Sequence, residues 1–270
     1  MAAAAGFGSR FAMLQDNSVP CVLCGRPDVT KEHVFPQWLL DVIPRKGAIP
    51  GGKIIHRWDA PPGSESEDRE WEAHLLTFQA KVVCQNECNG GWMNKLENGA
   101  RPFLEPMIQG RGRTLYDTGR EQVAFWALKT AMMIDFAQEP EHRSVRPDEY
   151  PALYKAQTVL PDTFAWLGAC EFGPGATAHH RTLHLNVDGR RLHGWGCTVN
   201  VGHMVIEVIR FVRFPQGKTL EIGGPLAPAL RRIWPQDQPV FWPPNARLTR
   251  QQTVWLGQML ESVPISLVPL

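Results

Sequence analysis

Apolar residues recur at three- and four-residue steps over residues 121–138, and this spacing predicts the main helix of the chain. The residues that share the spacing are Val123, Trp126, Ala127, Ala131, Ile134 and Ala137. Pro140 is expected to end the helix, because proline cannot continue the backbone hydrogen-bonding pattern. We expect the helix to be largely buried.

Further along the chain the period changes from helical to alternating. Residues 182–187 alternate between apolar and polar, Asp188-Gly189 supplies a turn, and residues 205–214 are rich in β-branched and aromatic side chains. We therefore predict an antiparallel sheet over residues 164–222. Shorter signals predict a strand at 77–83, a helix at 89–97 and a helix at 251–261.

The predicted elements divide the chain into three segments of an α+β protein. Residues 1–20 have no clear period and are interpreted as an N-terminal arm, and residues 21–99 are interpreted as a small core. Residues 44–68 contain two clusters of proline and glycine, so we interpret them as a loop inserted into that core. Residues 100–270 hold the long helix and the sheet, with a role in substrate positioning or oligomerisation.

Composition narrows the class of protein. The 270 residues are 43% hydrophobic and 20% charged, which excludes a disordered or fibrous chain. Lys plus Arg number 28 against 27 Asp plus Glu, so binding to a polyanion would need a local basic patch. No apolar run approaches the roughly 18 residues of a membrane span, and the first residues do not resemble a signal peptide. A cytoplasmic protein without membrane partners is the expectation.

Four of the six cysteines form two close pairs, Cys21 with Cys24 and Cys84 with Cys88. A short gap lets a tight turn direct both thiolates of a pair towards one ion, so the pairs predict a tetrahedral zinc site. Gly25 follows the first pair at a position where a positive φ would turn the chain back. The alternative is two unrelated pairs of buried thiols.

The residues around the cysteines carry a more specific pattern. Between the pairs lies Lys31-Glu32-His33-Val34-Phe35-Pro36, and Asn89 follows the last cysteine at a predicted helix start. This ordered combination resembles the HNH (ββα-metal, treble-clef) endonucleases with a four-cysteine structural zinc. It is most similar to the branch that includes phage junction-resolving enzymes, in which Asn follows the final cysteine. The resemblance covers residues 21–97.

The resemblance implies a metal-dependent endonuclease that hydrolyses phosphodiester bonds in DNA, with RNA as an alternative substrate. Glu32 and Asn89 would hold one divalent ion, Mg²⁺ or Mn²⁺, through oxygen atoms. His33 would act as general base on the attacking water. Free-standing nucleases of this kind are associated with antiviral host defence or phage restriction, and a homodimer would allow both strands to be cut.

Other residues are secondary candidates. Gln79 falls where the family often has an Asn, and Asn94 and Glu97 lie further along the motif helix. Glu97 is either a metal contact or a solvated helix residue. Lys81 shares a strand face with Gln79 and is either a phosphate contact or an exposed lysine.

Two arginines that follow the motif helix, Arg111 and Arg113, are candidate contacts for the nucleic-acid backbone, with a solvated surface as the alternative. The competing function for the whole chain is a catalytically inactive, zinc-stapled module that binds nucleic acid or protein.

Overall fold

The chain alternates short strands and helices before it enters its main sheet. The structure is a computed structural model that describes residues 20–43, 53–58, 69–74, 79–171, 176–187, 189–258 and 265–269, so most of the predicted arm at 1–20 lies outside the described residues. The helices are α1 (Leu39–Val42), α2 (Asn94–Ile108), α3 (Asp117–Phe136), α4 (Glu149–Ala156) and α5 (Arg250–Gln258). The first strands are β1 (Val29–His33), β2 (Lys53–Trp58), β3 (Arg69–His74), β4 (Gln79–Cys84) and β5 (Arg113–Leu115). The later strands are β6 (Thr163–Ala169), β7 (Ala176–Val187), β8 (Arg190–Val201), β9 (Met204–Phe211), β10 (Lys218–Ile222), β11 (Leu230–Trp234), β12 (Val240–Trp242) and β13 (Ile265–Pro269). This mixture is consistent with the predicted α+β class.

Helix α3 is the central element, as its apolar period predicts. Every residue from Val123 to Asp135 is buried, because α3 lies between α2 on one side and strands β6, β7, β8, β9 and β11 on the other. The helix starts four residues before the predicted position, at Asp117, whose negative charge is favourable in a first helical turn. Among the described residues, no helix combines the length and apolarity needed to cross a membrane.

The helix predicted at 89–97 extends well beyond residue 97 in the structure. A helical segment, Gln85–Met93, is interrupted at Gly91 (φ −90°, ψ −112°) and precedes α2, which continues to Ile108 through Pro102 and Pro106. Proline normally opposes a helix interior. The extension follows from an apolar stripe beyond the motif, since Ala100, Leu104, Met107 and Ile108 are all buried.

The main sheet contains seven strands in the order β11-β6-β9-β8-β7-β2-β3. Neighbouring strands from β11 to β8 and from β8 to β7 are antiparallel, which confirms the predicted hairpin between β7 and β8. The observed β4 overlaps the strand predicted at 77–83, and α5 overlaps the helix predicted at 251–261. Residues 77–78 and 259–261 of those two predictions lie outside the described residues.

Two details of the predicted sheet are wrong. The segment interpreted as a loop at 44–68 contains β2, which pairs with β7 in parallel through Ile55↔Thr177 and His56↔Ala178. Two adjacent isoleucines favour an extended strand there, although proline and glycine surround it in sequence. In addition, β10 leaves the sheet and pairs with β13 in a separate two-stranded ribbon.

The two faces of the sheet belong to two apolar clusters. On β9, Ile206 and Val208 point into the cluster that contains α3 and the cysteine pairs, whereas Val205 and Ile209 point into the cluster beneath α5 and β10. The first cluster includes residues on both sides of residue 99, and residue 99 itself lies within α2. The cysteine-bearing segment and the segment behind it therefore share one core.

A carboxyl group is buried in the second cluster. Glu207 on β9 is opposite Thr198 on β8, whose hydroxyl donates a hydrogen bond to Oε2 of Glu207. Oε1 of Glu207 has no hydrogen-bond partner among the described residues. Burial raises the pKa of Glu207 from 4.5 to about 8, while the hydrogen bond from Thr198 lowers it.

We predict that Glu207 makes folding stability decrease with rising pH. Between its usual pKa of 4.5 and its folded-state pKa of about 8, the folded chain retains a proton that the unfolded chain releases, so stability is lost as pH rises through that window. Glu207→Gln removes the ionisation and keeps the shape. The wild-type protein should lose about 1.4 kcal/mol per pH unit relative to Glu207→Gln between about pH 5 and pH 8.

Chemical denaturation at several pH values measures this difference. The exposed Glu221 provides the matched control, because Glu221→Gln makes the same substitution at the protein surface. Parallel stability curves for the wild-type protein and Glu207→Gln would contradict the prediction.

Candidate metal and catalytic site

The first cysteine pair lies on a tight turn that precedes β1. The turn is closed by two backbone hydrogen bonds, from the N–H of Gly25 to the oxygen of Cys21 at 2.8 Å and from the N–H of Cys21 to the oxygen of Arg26 at 2.8 Å. Gly25 has a φ of +73°, as predicted from its place after Cys24. The turn brings both sulfurs of the pair towards the end of β4, where the second pair begins.

The four sulfur atoms converge. Sγ of Cys21 lies 3.7 Å from Sγ of Cys88, Sγ of Cys24 lies 3.4 Å from Sγ of Cys84, and all four lie within 4.8 Å of one another. These separations exceed the roughly 2.05 Å of a disulfide bond. Sulfurs around one tetrahedral zinc ion are about 3.8 Å apart, because each Zn–S bond is about 2.3 Å. The group could therefore hold a metal ion, and its donors and spacing are compatible with structural zinc.

Electrostatics within the group favour a metal-binding state. The hydrogen bond between the Cys21 and Cys88 side chains lowers the pKa of Cys21 to about 4, which favours its thiolate form. The same interaction raises the pKa of Cys88. A thiolate is the form of cysteine that ligates zinc, and an ion would draw the remaining protons from the group.

Two contacts join the cysteine group to the helices behind it. Glu87, between the cysteines of the second pair, accepts hydrogen bonds from Arg26 at 2.7 Å and from the Tyr154 hydroxyl of α4 at 3.0 Å. Trp92 stacks on Phe125 of α3 with ring centroids 5.8 Å apart. The group is therefore held against α3 and α4.

His33 and Gln79 meet across β1, which follows the first cysteine pair, and β4, which ends at the second pair. They are register partners in the antiparallel pair β1–β4, and Nε2 of Gln79 lies 2.7 Å from Nε2 of His33. A glutamine amide can donate through nitrogen or, after a half-turn about its last bond, accept through oxygen in the same space. Gln79 thus restrains the ring, and the orientation of its amide determines whether Nε2 of His33 accepts or donates the hydrogen bond.

The surroundings of His33 combine burial with one nearby negative charge. Burial lowers the pKa of the half-buried His33 ring, and the carboxylate of Glu97 on α2 acts in the opposite direction. The net direction is downward, so the ring is neutral at neutral pH and can accept a proton. The structure thus brings three predicted site residues together: His33, Gln79 and Glu97.

Sequence reasoning missed one residue of this site, Lys129. It lies on α3, and its amino group donates to Oε1 of Glu97 at 2.6 Å, with the lysine side chain 0% exposed and the glutamate side chain 15% exposed. The available signal was a lysine inside the most apolar helical segment of the chain. Charged residues are almost never fully buried unless they are paired, so that position should have indicated a partner.

The remaining predicted residues of the motif are less closely associated with His33. Asn89 follows Cys88, is half-buried, and its backbone oxygen accepts a hydrogen bond from the N–H of Asn94. The exposed Asn94 side chain accepts a hydrogen bond from Asn98 at 3.1 Å along the surface of α2. The backbone of Glu32 lies in β1 opposite Ala80. The side chains of Glu32 and Lys81 lie outside the described part of the structure.

The two candidate phosphate contacts lie at the other end of α2. Arg111 is exposed and donates to Oε1 of Gln109 at 2.6 Å. Arg113, in β5, places its guanidinium 5.2 Å from the ring centre of Phe103. The 15-residue helix α2, which is about 22 Å long, has Asn94 and Glu97 in its first turn and these arginines beyond its C-terminal end.

Comparison of the chain with family models, with curated proteins and with solved structures finds no match.

We predict that the protein binds about one zinc ion per chain through its four paired cysteines, as measured by elemental analysis after purification without chelator. Cys84→Ser should lose the ion and be destabilised, because the binding free energy of a structural zinc ion is also folding free energy. A strong chelator should unfold the β1–β4 region of the wild-type protein, measured by hydrogen exchange.

Cys170→Ser is the matched control for this prediction. Cys170 is also buried, but its sulfur donates to the backbone oxygen of Gly202 and accepts from Asn200, two hydrogen bonds that a serine hydroxyl can make. This variant should keep its zinc. Metal-free wild-type protein, or a Cys84→Ser variant as stable as its parent, would contradict the prediction.

Proposed function

We propose that the chain is a metal-dependent endonuclease that hydrolyses phosphodiester bonds in DNA, with His33 as general base. One divalent ion, Mg²⁺ or Mn²⁺, would be held by Glu32 and Asn89. The observation that carries the proposal is the contact of His33 with Gln79, with Glu97 acting electrostatically on the ring, on strands and a helix that the four convergent cysteines join. Two antiparallel strands, β1 and β4, and a helix that begins at the last cysteine pair carry these groups, and this arrangement supports the resemblance to HNH enzymes.

The environment of His33 suits a general base. Its ring is neutral near neutral pH, and Gln79 contacts Nε2. When Oε1 of Gln79 accepts the Nε2 proton, the lone pair of Nδ1 is available for a water molecule. In that orientation, Gln79 holds His33 in the tautomer that can act as a base.

Hydrolysis would proceed in a single displacement. The water oxygen forms a bond to phosphorus, Nδ1 of His33 takes the water proton, and the bond from phosphorus to the leaving 3′ oxygen breaks. The leaving oxygen takes a proton from solvent. A bound divalent ion would supply charge stabilisation at the phosphate and at the leaving oxygen.

The oxygen donors proposed as ligands suit such an ion. The proposed ligands are a carboxylate and an amide oxygen, which are hard donors that Mg²⁺ and Mn²⁺ prefer, whereas the sulfurs of the cysteine group prefer zinc. The two metals would thus have separate tasks. The zinc ion stabilises the small core, and the divalent ion takes part in cleavage.

We predict that His33→Ala abolishes cleavage of supercoiled plasmid in Mg²⁺ or Mn²⁺ while fold and DNA affinity persist, because a general base acts on the water rather than on ground-state binding. Asn89→Ala should also cleave poorly, but excess metal should restore part of its activity, because its defect is in metal binding. His193→Ala changes an exposed histidine on β8 and serves as the control with full activity.

Equal rescue of His33→Ala and Asn89→Ala by metal would show that the two roles are misassigned. Absence of any cleavage by the zinc-loaded wild-type protein on plasmid, branched and single-stranded DNA and on RNA would favour the competing function, an inactive zinc-stapled binding module.

A second prediction of the proposal concerns Arg111 and Arg113. If they contact phosphates, replacing both with glutamine should weaken DNA binding and reduce the slope of log affinity against log salt by roughly one unit for each lost contact. Cleavage at saturating DNA should persist. The exposed Arg190 and Arg191 at the β8 hairpin offer a matched double variant. A slope unchanged in the Arg111/Arg113 variant would instead favour an oligomerisation role for this region, which light scattering would report.

A further inference from the structure

Lys129 is an unusual residue for its place in the fold. It lies in the middle of α3, between buried neighbours from Val123 to Asp135, and its side chain is fully buried. Transfer of an ammonium group from water to such a place costs several kcal/mol, and pairing offsets this cost only when the geometry is good. A straight-chain apolar residue of similar volume would stabilise the helix equally well or better.

The partner of Lys129 is a residue of the candidate site. Glu97 accepts from Lys129 at 2.6 Å, and its carboxylate acts electrostatically on His33. Glu97 lies in the first turn of α2, eight residues after Asn89 and beyond a break in the helical backbone at Gly91. The ion pair therefore fixes a hard oxygen donor at the start of the helix that follows a proposed ligand of the divalent ion.

We infer that Lys129 is a positioning residue: it holds Glu97 beside His33, where the carboxylate serves as a further oxygen ligand of the divalent ion. The inference rests on the proposed function, since that ion is part of the proposal. Carboxylate ligands are commonly oriented by a hydrogen-bond donor behind them, and loss of such a donor typically reduces metal affinity 10- to 100-fold. Lys129 is such a donor, and it comes from α3 rather than from the cysteine-bearing segment.

This arrangement predicts a pattern across a mutant cycle. Lys129→Met removes the ammonium but keeps an unbranched side chain, and Glu97→Gln keeps an acceptor for Lys129 while it removes the carboxylate. Each single variant should bind Mn²⁺ at least about 10-fold more weakly than the zinc-loaded wild-type protein. The double variant should be no weaker than Glu97→Gln alone, because Lys129 acts through Glu97.

The experiment measures Mn²⁺ binding to the full-length, zinc-loaded chain by electron paramagnetic resonance without substrate, and the Mn²⁺ dependence of plasmid cleavage with substrate. Lys155→Met, at an exposed lysine of α4, is the control that should keep wild-type Mn²⁺ affinity. In Lys129→Met, saturating Mn²⁺ should restore most of the maximal cleavage rate. A purely structural role for Lys129 would lower stability without moving the Mn²⁺ dependence.

The outcomes separate the inference from the proposed function. Wild-type Mn²⁺ affinity in Lys129→Met, or additive losses in the double variant, would overturn the inference while cleavage by the wild-type protein still supports the nuclease. Weakened Mn²⁺ binding in Lys129→Met and Glu97→Gln without any wild-type cleavage would support the ion-site role and overturn the nuclease. If Lys129→Met does not fold, Glu97→Gln decides: unchanged Mn²⁺ affinity in that variant overturns the inference. No Mn²⁺ binding by the wild-type protein would overturn both.

Discussion

The convergence of four sulfur atoms is the constraint on which the candidate site depends. Two cysteines precede β1 and two lie at the junction of β4 with the following helix, so one group of sulfurs ties together all three elements that carry the catalytic candidates. A segment this small buries a limited apolar area on its own, and a metal ion would add binding free energy to its folding. The β1–β4 pairing begins at this tie with Val29 opposite Cys84 and ends with His33 opposite Gln79.

The second support of the site comes from the core rather than from the metal. Helix α3 contributes Phe125 to the stack on Trp92 and Lys129 to the ion pair with Glu97. One contact is apolar and the other is ionic, and both fix the helix that begins at the last cysteine pair. The site is therefore held from two directions, by sulfur on one side and by a buried helix on the other.

Sequence patterns predicted those elements that are specified by residues close together along the chain. The period of α3, the hairpin of β7 and β8, and the cysteine turn with Gly25 follow from residues close together in sequence. Gln79 was a candidate from the sequence, but its contact with His33 was not predicted. The two residues are 46 positions apart, and no local period encodes the strand register that brings them together. The parallel pairing of β2 with β7 and the contact of Lys129 with Glu97 are long-range in the same sense. Two prolines within α2 would ordinarily predict that the helix ends earlier, but the buried apolar stripe stabilises it as far as Ile108.

The continuity of α2 has a consequence for how the cysteine-bearing segment could be used outside this chain. A fragment cut at residue 99 would end in the middle of a helix and would lose Ala100, Leu104 and Met107, which lie on its buried stripe. It would also separate Glu97 from its buried counter-charge on α3 and expose Trp92. Moved alone into another protein, the segment would keep its four cysteines but lose the helix that supports it. Any domain fusion that uses the segment must therefore include α3 as well.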